Sequence, residues 1–182
     1  MQEVIGNPEV VEHKQIPTFR LQLFEGPLEL AWKHCDITAD FLGKLHAVWS
    51  GQADTDANEI RHNVSYIINE MLENAVKFSC SPCVELDTGL GHKKFLLRIV
   101  NAITRDSAMQ FQELLNKMEK GDPSSLLIER LEFNAADPNL TGSGLGLLTL
   151  MSDYSVEFFW KFAETDDSEF INLEAHASLP LE

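Results

Sequence analysis

Asn69-Glu70-Met71-Leu72-Glu73-Asn74-Ala75-Val76-Lys77-Phe78-Ser79 is the stretch on which the reading of this chain turns. It closes a longer run from Ala57 to Ser79. There Val64, Ile67, Ile68, Met71, Leu72, Ala75 and Phe78 recur every three or four residues, the mark of an amphipathic helix. At about 100° per residue, Asn63, Glu70, Asn74 and Lys77 fall within about 60° of one another beside the apolar stripe. Residues four apart stack on one helix face, so Glu70 and Asn74 stand together one turn apart. Charge along a helix is usually a solvated face. A carboxylate followed one turn later by a neutral amide points instead to a site.

A second segment, Gly142-Ser143-Gly144-Leu145-Gly146-Leu147-Leu148, runs from a glycine cluster directly into an apolar helix predicted over Leu145 to Tyr154. Glycines let backbone approach a ligand closely, and a helix start offers unpaired N–H groups and a positive dipole end to an anion. With the first segment this outlines a nucleotide pocket. Asn74 offers an amide oxygen suited to hard Mg²⁺. Glu70 is placed to accept a proton from an attacking hydroxyl or water. Lys77 is a point charge within reach of phosphate. Gly142, Gly144, Leu145 and Gly146 form the phosphate clamp.

Between and around these segments the pattern alternates. The first 16 residues lack periodicity and read as an amino-terminal arm, leaving residues 17–182 as a single domain. Phe19, Leu21 and Leu23 alternate with polar residues as a strand. A helix is predicted from about Ile37, with Asp36 as its cap. Val84 to Asp87 and Lys94 to Val100 read as a hairpin joined around Gly89 and Gly91. Asp106 to Lys120 and Ser125 to Phe133 read as helices separated by Gly121-Asp122-Pro123. Val156, Phe158, Trp160 and Phe162, then Ile171, Leu173, Ala175 and Ala177, form two closing strands. This order predicts an α/β two-layer sandwich, helices on a mostly antiparallel sheet.

Composition narrows the function. The chain has 182 residues and is 44% hydrophobic, enough for a sizeable core. Its formal net charge of −15 argues against nucleic-acid binding and against docking on anionic membranes. No apolar run approaches the length of a membrane span, and the polar first residues carry no secretory signal. Three cysteines, Cys35, Cys80 and Cys83, fit a reducing compartment, so the cytoplasm is expected. Cys80-Ser81-Pro82-Cys83 follows a helix rather than opening one, which is the wrong dipole end for a redox-active pair. The six histidines are scattered and suggest no metal cluster.

The two segments, in order and spacing, resemble the N box and second glycine box of the GHKL ATPase and kinase superfamily, the histidine-kinase-like ATPase fold. The resemblance implies that Glu70 is the general base, that Asn74 is the magnesium ligand and that ATP is the substrate. The chain departs from the superfamily at its Asp-x-Gly-x-Gly box. Asn101 stands where the aspartate recognises the adenine amine, and Ala102 and Ile103 follow without glycine. An asparagine oxygen still accepts a hydrogen bond from an amine. No phosphoacceptor-histidine helix precedes the domain, which argues against a sensor histidine kinase. Within the superfamily, residues 18–178 most resemble SiaB-type stand-alone kinases of bacterial partner-switching systems. That implies a Ser/Thr kinase acting on a small anti-sigma-antagonist-like regulatory protein, with a homodimer left open. The alternative, motivated by the missing box, is a catalytically silent module that sequesters a regulatory partner.

Overall fold

The computed structural model describes residues 2–11, 18–24, 31–51, 54–91, 93–136, 144–167 and 169–181. Six strands, β1 (Gln2–Gly6), β2 (Thr18–Phe24), β3 (Cys83–Gly91), β4 (Lys94–Thr104), β5 (Glu157–Glu164) and β6 (Phe170–Pro180), form one antiparallel sheet in the order β1-β5-β6-β4-β3-β2. Among the described residues, five α-helices accompany it: α1 (Ala31–Ser50), α2 (Asp54–Phe78), α3 (Arg105–Lys120), α4 (Pro123–Ala136) and α5 (Leu145–Asp153), with one 3-10 turn at Pro8–Val11. The expected α/β two-layer sandwich is what the chain forms.

Alternation along the strands decides which face the helices cover. On β4, Phe95, Leu97, Ile99 and Ile103 are buried, as are Ile171, Leu173, Ala175, Ala177 and Leu179 on β6. These pack against Val64, Ile67, Ile68, Met71 and Leu72 of α2 in one apolar core. Asn101 occupies the one polar position in the inward row of β4 and is only 4% exposed. The other face carries a ladder of charge. Arg20 of β2 donates to Asp87 of β3 at 2.6 Å, and Arg98 of β4 donates to Asp87 at 3.0 Å and also pairs with Glu174 of β6. Burial works to raise the Asp87 pKa, but Arg20 and Arg98 outweigh it and hold the carboxyl below its ordinary value.

Several boundaries differ from the sequence expectation, each for a local reason. The amino-terminal arm supplies β1, which pairs with β5 from Gln2 opposite Ala163 to Gly6 opposite Phe159. Helix α1 begins at Ala31, so Asp36 lies inside it rather than capping it. Its buried stripe is Cys35, Ala39, Leu42 and His46, and the thiol and imidazole disguise the helical period. Helix α4 begins at Pro123, where a missing N–H costs nothing, and Asp122 accepts from the Ser125 N–H at 2.9 Å. Strand β3 continues through Gly89 and Gly91, and Lys93 takes the positive φ of 59° that the reversal into β4 needs. Thr104 caps α3 by accepting from the Ser107 N–H at 3.2 Å.

Close packing fixes α2, the helix that matters most for function. Gly43 of α1 lies so near α2 that an added Cβ would sit 2.7 Å from the Arg61 carbonyl oxygen and on the Ser65 hydroxyl. At the other end, Cys80 donates its N–H to the Ala102 carbonyl at 2.8 Å, and Ser79 bridges Ile103. The last turn of α2 is thus tied to β4.

Candidate functional site

The tie between α2 and β4 places Asn74 and Asn101 on the wall of one cavity. The Asn101 amide donates to the Ala75 carbonyl at 3.2 Å, one residue beyond Asn74. The Asn74 amide donates to the Glu70 carbonyl one turn back, at 2.8 Å. Both side chains therefore spend donors on α2 backbone and keep their amide oxygens as the available groups. The cavity measures about 120 Å³. Its floor is Ile99, Ile103, Leu173, Ala175 and Trp160 of the sheet, and its sides include Met71, Ala75 and Phe78 of α2 and Phe111 and Leu114 of α3. Ser107 and Gln110 of α3, with the two asparagines, are its polar side chains among the described residues, none of which brings a charge to its wall.

Gly144 also lines this cavity, at the start of α5. It takes a left-handed φ of 92°, and no side-chain hydrogen bond caps the helix there. A Cβ at Gly144 would meet Leu114 Cδ2 at 3.2 Å. The glycine is thus required by its backbone conformation as well as by proximity to the cavity.

Glu70 reaches the first turn of α5 from α2 without lining the cavity. A Cβ on Gly146 would collide with the Glu70 carboxylate, so that carboxylate rests against the first turn of α5. Burial raises the Glu70 pKa above the ordinary glutamate value, and the neighbouring charge of Glu73 adds to it. A half-buried carboxylate with an increased appetite for protons is the arrangement a general base uses. Replacing Gly146 with Ala is expected to displace Glu70 and to lower stability by about 1–3 kcal/mol, as overpacking does. Chemical denaturation reads the stability, and a midpoint equal to the parent's would mean that Glu70 has room to move.

The sequence-selected residues divide as follows. Asn74, Asn101 and Gly144 line the cavity. Glu70 and Gly146 meet each other, one turn from Asn74 on α2 and within the first turn of α5, and neither lines the cavity. Leu145 begins α5 without lining the cavity. Lys77 is exposed, with its ammonium 5.2 Å from the Phe78 ring centroid, and it too lies outside the cavity wall. Gly142, and most of the loop from Asn134 to Ser143 expected to order over a ligand, lie outside the described residues. Ser107, Gln110, Phe111 and Trp160 were not singled out from sequence. Their signal was present in part, because Ser107, Gln110, Phe111 and Leu114 share the three-and-four spacing of one helix face.

Comparison with protein-family models and with curated proteins finds no match. Among solved structures, a chain in the crystal structure of the SiaB–SiaC complex from Pseudomonas aeruginosa superposes with a TM-score of 0.63. The alignment covers 93% of this chain and 94% of that one, at 13% sequence identity. The fold is SiaB-like. The shared architecture spans nearly the whole of both chains. No helix among the described residues is long and apolar enough to cross a membrane.

Proposed function

We infer that the chain is a Mg-ATP-dependent Ser/Thr protein kinase of GHKL type, acting in the cytoplasm in a bacterial partner-switching system on a small anti-sigma-antagonist-like protein. The observation that carries this reading is the orientation of Asn74. One of its amide hydrogens goes to the Glu70 carbonyl, and the residue lines the cavity, where its oxygen would serve as a neutral, hard ligand. Magnesium bound there would neutralise phosphate charge during transfer. The uncharged cavity suits a nucleobase, and the Asn101 oxygen suits the hydrogen-bond donor of an adenine amine. Gly144 leaves the start of α5 open towards phosphate oxygens. Glu70 takes the proton from the acceptor hydroxyl as its oxygen forms the new bond to the γ-phosphorus and the bond to ADP breaks.

Replacing Asn74 with Ala tests the metal-ligand role. Nucleotide binding in the presence of magnesium is expected to weaken by about tenfold or more, equivalent to about 1.4 kcal/mol. Calorimetric titration with Mg-ATP, compared with ATP in chelator, provides the measurement. Equal affinities for parent and variant in magnesium would remove Asn74 from the site.

One observation favours the second reading, a silent module that sequesters a regulatory partner. The cavity of about 120 Å³ is small beside the roughly 300–1,000 Å³ of a typical ligand site. The Ile103 side chain fills space where the superfamily has glycine. A thermal-shift titration separates the two readings, because a ligand that binds the folded state raises its apparent stability. No shift at millimolar Mg-ATP supports the silent module.

A further inference from the structure

A second cavity shares Leu147 and Trp160 with the first. It measures about 490 Å³, within the roughly 300–1,000 Å³ of a typical ligand site. Its walls include Leu115 and Met118 of α3, Leu147 and Met151 of α5, and Phe158 and Trp160 of β5. All of these but Met151 are at most 7% exposed, and the Phe158 and Trp160 rings stack with centroids 5.5 Å apart. Walls of this kind favour a hydrocarbon body, because apolar surface gains by leaving water.

The charges at the rim are of one sign. Glu119 of α3 and Glu157 of β5 are exposed lining residues, and no Lys, Arg or His among the described residues lines the cavity. Lys117 and Lys120, in the last turn of α3, are not part of its wall. Lys94 also lies outside the wall and approaches Glu157 only to 4.0 Å. Glu119 forms no ion pair among the described residues. Asn7 is already committed, since its amide donates to Glu157 at 3.1 Å and its oxygen accepts from the Glu9 N–H at 3.0 Å. Gly121 caps the C-terminal end of α3 at the same rim, which brings the negative end of that helix dipole to the cavity. The start of α4 does not offset it. Pro123 has no N–H, and the N–H groups of Ser125 and Leu126 donate to Asp122.

An apolar pocket rimmed by two carboxylates and a helix C-terminus repels anions and attracts an ammonium. We propose that this cavity is a second ligand site, for a hydrophobic amine whose body lies against Phe158 and Trp160 and whose ammonium pairs with Glu119. Aromatic rings in the wall add to the attraction of a cation. Asn74, Asn101 and Gly144 line the first cavity and none of them lines this one. The second site therefore stands whether or not the first takes nucleotide.

Methionine methyl groups report on the two cavities separately. Met118 and Met151 line the second, Met71 lines the first, and Met109 is exposed on α3. The full chain, carbon-labelled at its methionine methyls, is titrated under NMR observation with tryptamine, tryptophol and indoleacetate, which share a ring and differ in charge. Tryptamine is expected to shift the Met118 and Met151 resonances saturably and to leave Met109 in place. Tryptophol should bind about threefold or more weakly, the worth of one exposed ion pair, and indoleacetate should not saturate. Glu119→Gln should lower the tryptamine affinity to that of tryptophol, and Lys117→Gln should leave it unchanged. Both side chains are exposed, so each variant retains the parent's melting temperature. The proposal is overturned if Met118 and Met151 do not respond, or if Met71 responds in their place. It is equally overturned if tryptophol or indoleacetate binds as well as tryptamine, or if the Glu119→Gln variant binds tryptamine like the parent.

Discussion

Glu70→Gln is expected to bind Mg-ATP as the parent does and to lose phosphotransfer by about a hundredfold or more, the usual worth of a positioned general base. Glutamine matches glutamate in size, so the contact with Gly146 and the packing of α2 against α5 survive. What disappears is the ability to accept a proton. Burial, followed by the charge of Glu73, raises the pKa of this carboxyl, so it holds a proton more firmly than an exposed glutamate. The same shift gives the parent a pH signature. Transfer should decline as pH falls through a pKa above the ordinary glutamate value of 4.5, and the variant should lack that limb. Transfer from labelled ATP to the acceptor, followed against pH, is the measurement. A Gln variant that transfers phosphate at the parental rate would falsify the base assignment while leaving the binding reading intact.

The separation between what sequence disclosed and what it hid has a physical logic. Helix α2 was legible because its apolar period runs for about four turns, from Val64 to Phe78, without interruption, and Glu70 and Asn74 acquire their relation from helix geometry alone. Strands β5 and β6 were legible because one face is buried and the other is not, which imposes alternation on Phe158, Trp160 and Phe162. Helix α1 was read short because its inward stripe includes Cys35 and His46, residues that a hydrophobic period does not count. Strand β1 was missed because an edge strand pairs on one side only and needs few apolar residues. Ile5 is buried, whereas Glu3, Val4 and Gly6 are exposed. The cavity itself belongs to tertiary structure. Trp160 and Phe111 meet edge-on at 4.9 Å although they are far apart in the chain, and no local pattern announces that contact. The contact between Glu70 and Gly146 is of the same kind. Sequence supplied both residues, and only the packing of α5 on α2 shows that the glycine makes room for the carboxylate.

Acid should destabilise this protein through His46 well before its ion pairs begin to fail. His46 is completely buried, with Nε2 2.9 Å from the Thr88 hydroxyl and no hydrogen-bond partner on Nδ1. The rings of Trp49 and Phe95 pack on it edge-on. Burial lowers its pKa from 6.5 to about 4, because removing the ring from solvent penalises its charged form. The folded state therefore binds the proton more weakly than the unfolded state. Above pH 6.5 both states are neutral at this residue, and its contribution is fully retained. As pH falls from 6.5 towards 4 the unfolded chain takes up the proton first, and stability drops by about 1.4 kcal/mol per pH unit, or about 3 kcal/mol over the window. His176 adds in the same direction, since burial lowers its pKa despite the opposing influence of Glu174. Asp87 and Glu174, with pKa values held below the ordinary range, lose their contribution only at still lower pH. Denaturant unfolding at pH 7 and pH 5 is the measurement, with His46→Gln as the comparison, because glutamine keeps a polar group near Thr88 without titrating. The parent should lose about 2 kcal/mol between the two pH values and the variant a markedly smaller amount. Equal losses in parent and variant would mean that His46 takes up its proton in the folded state as readily as in the unfolded one, and would overturn this assignment.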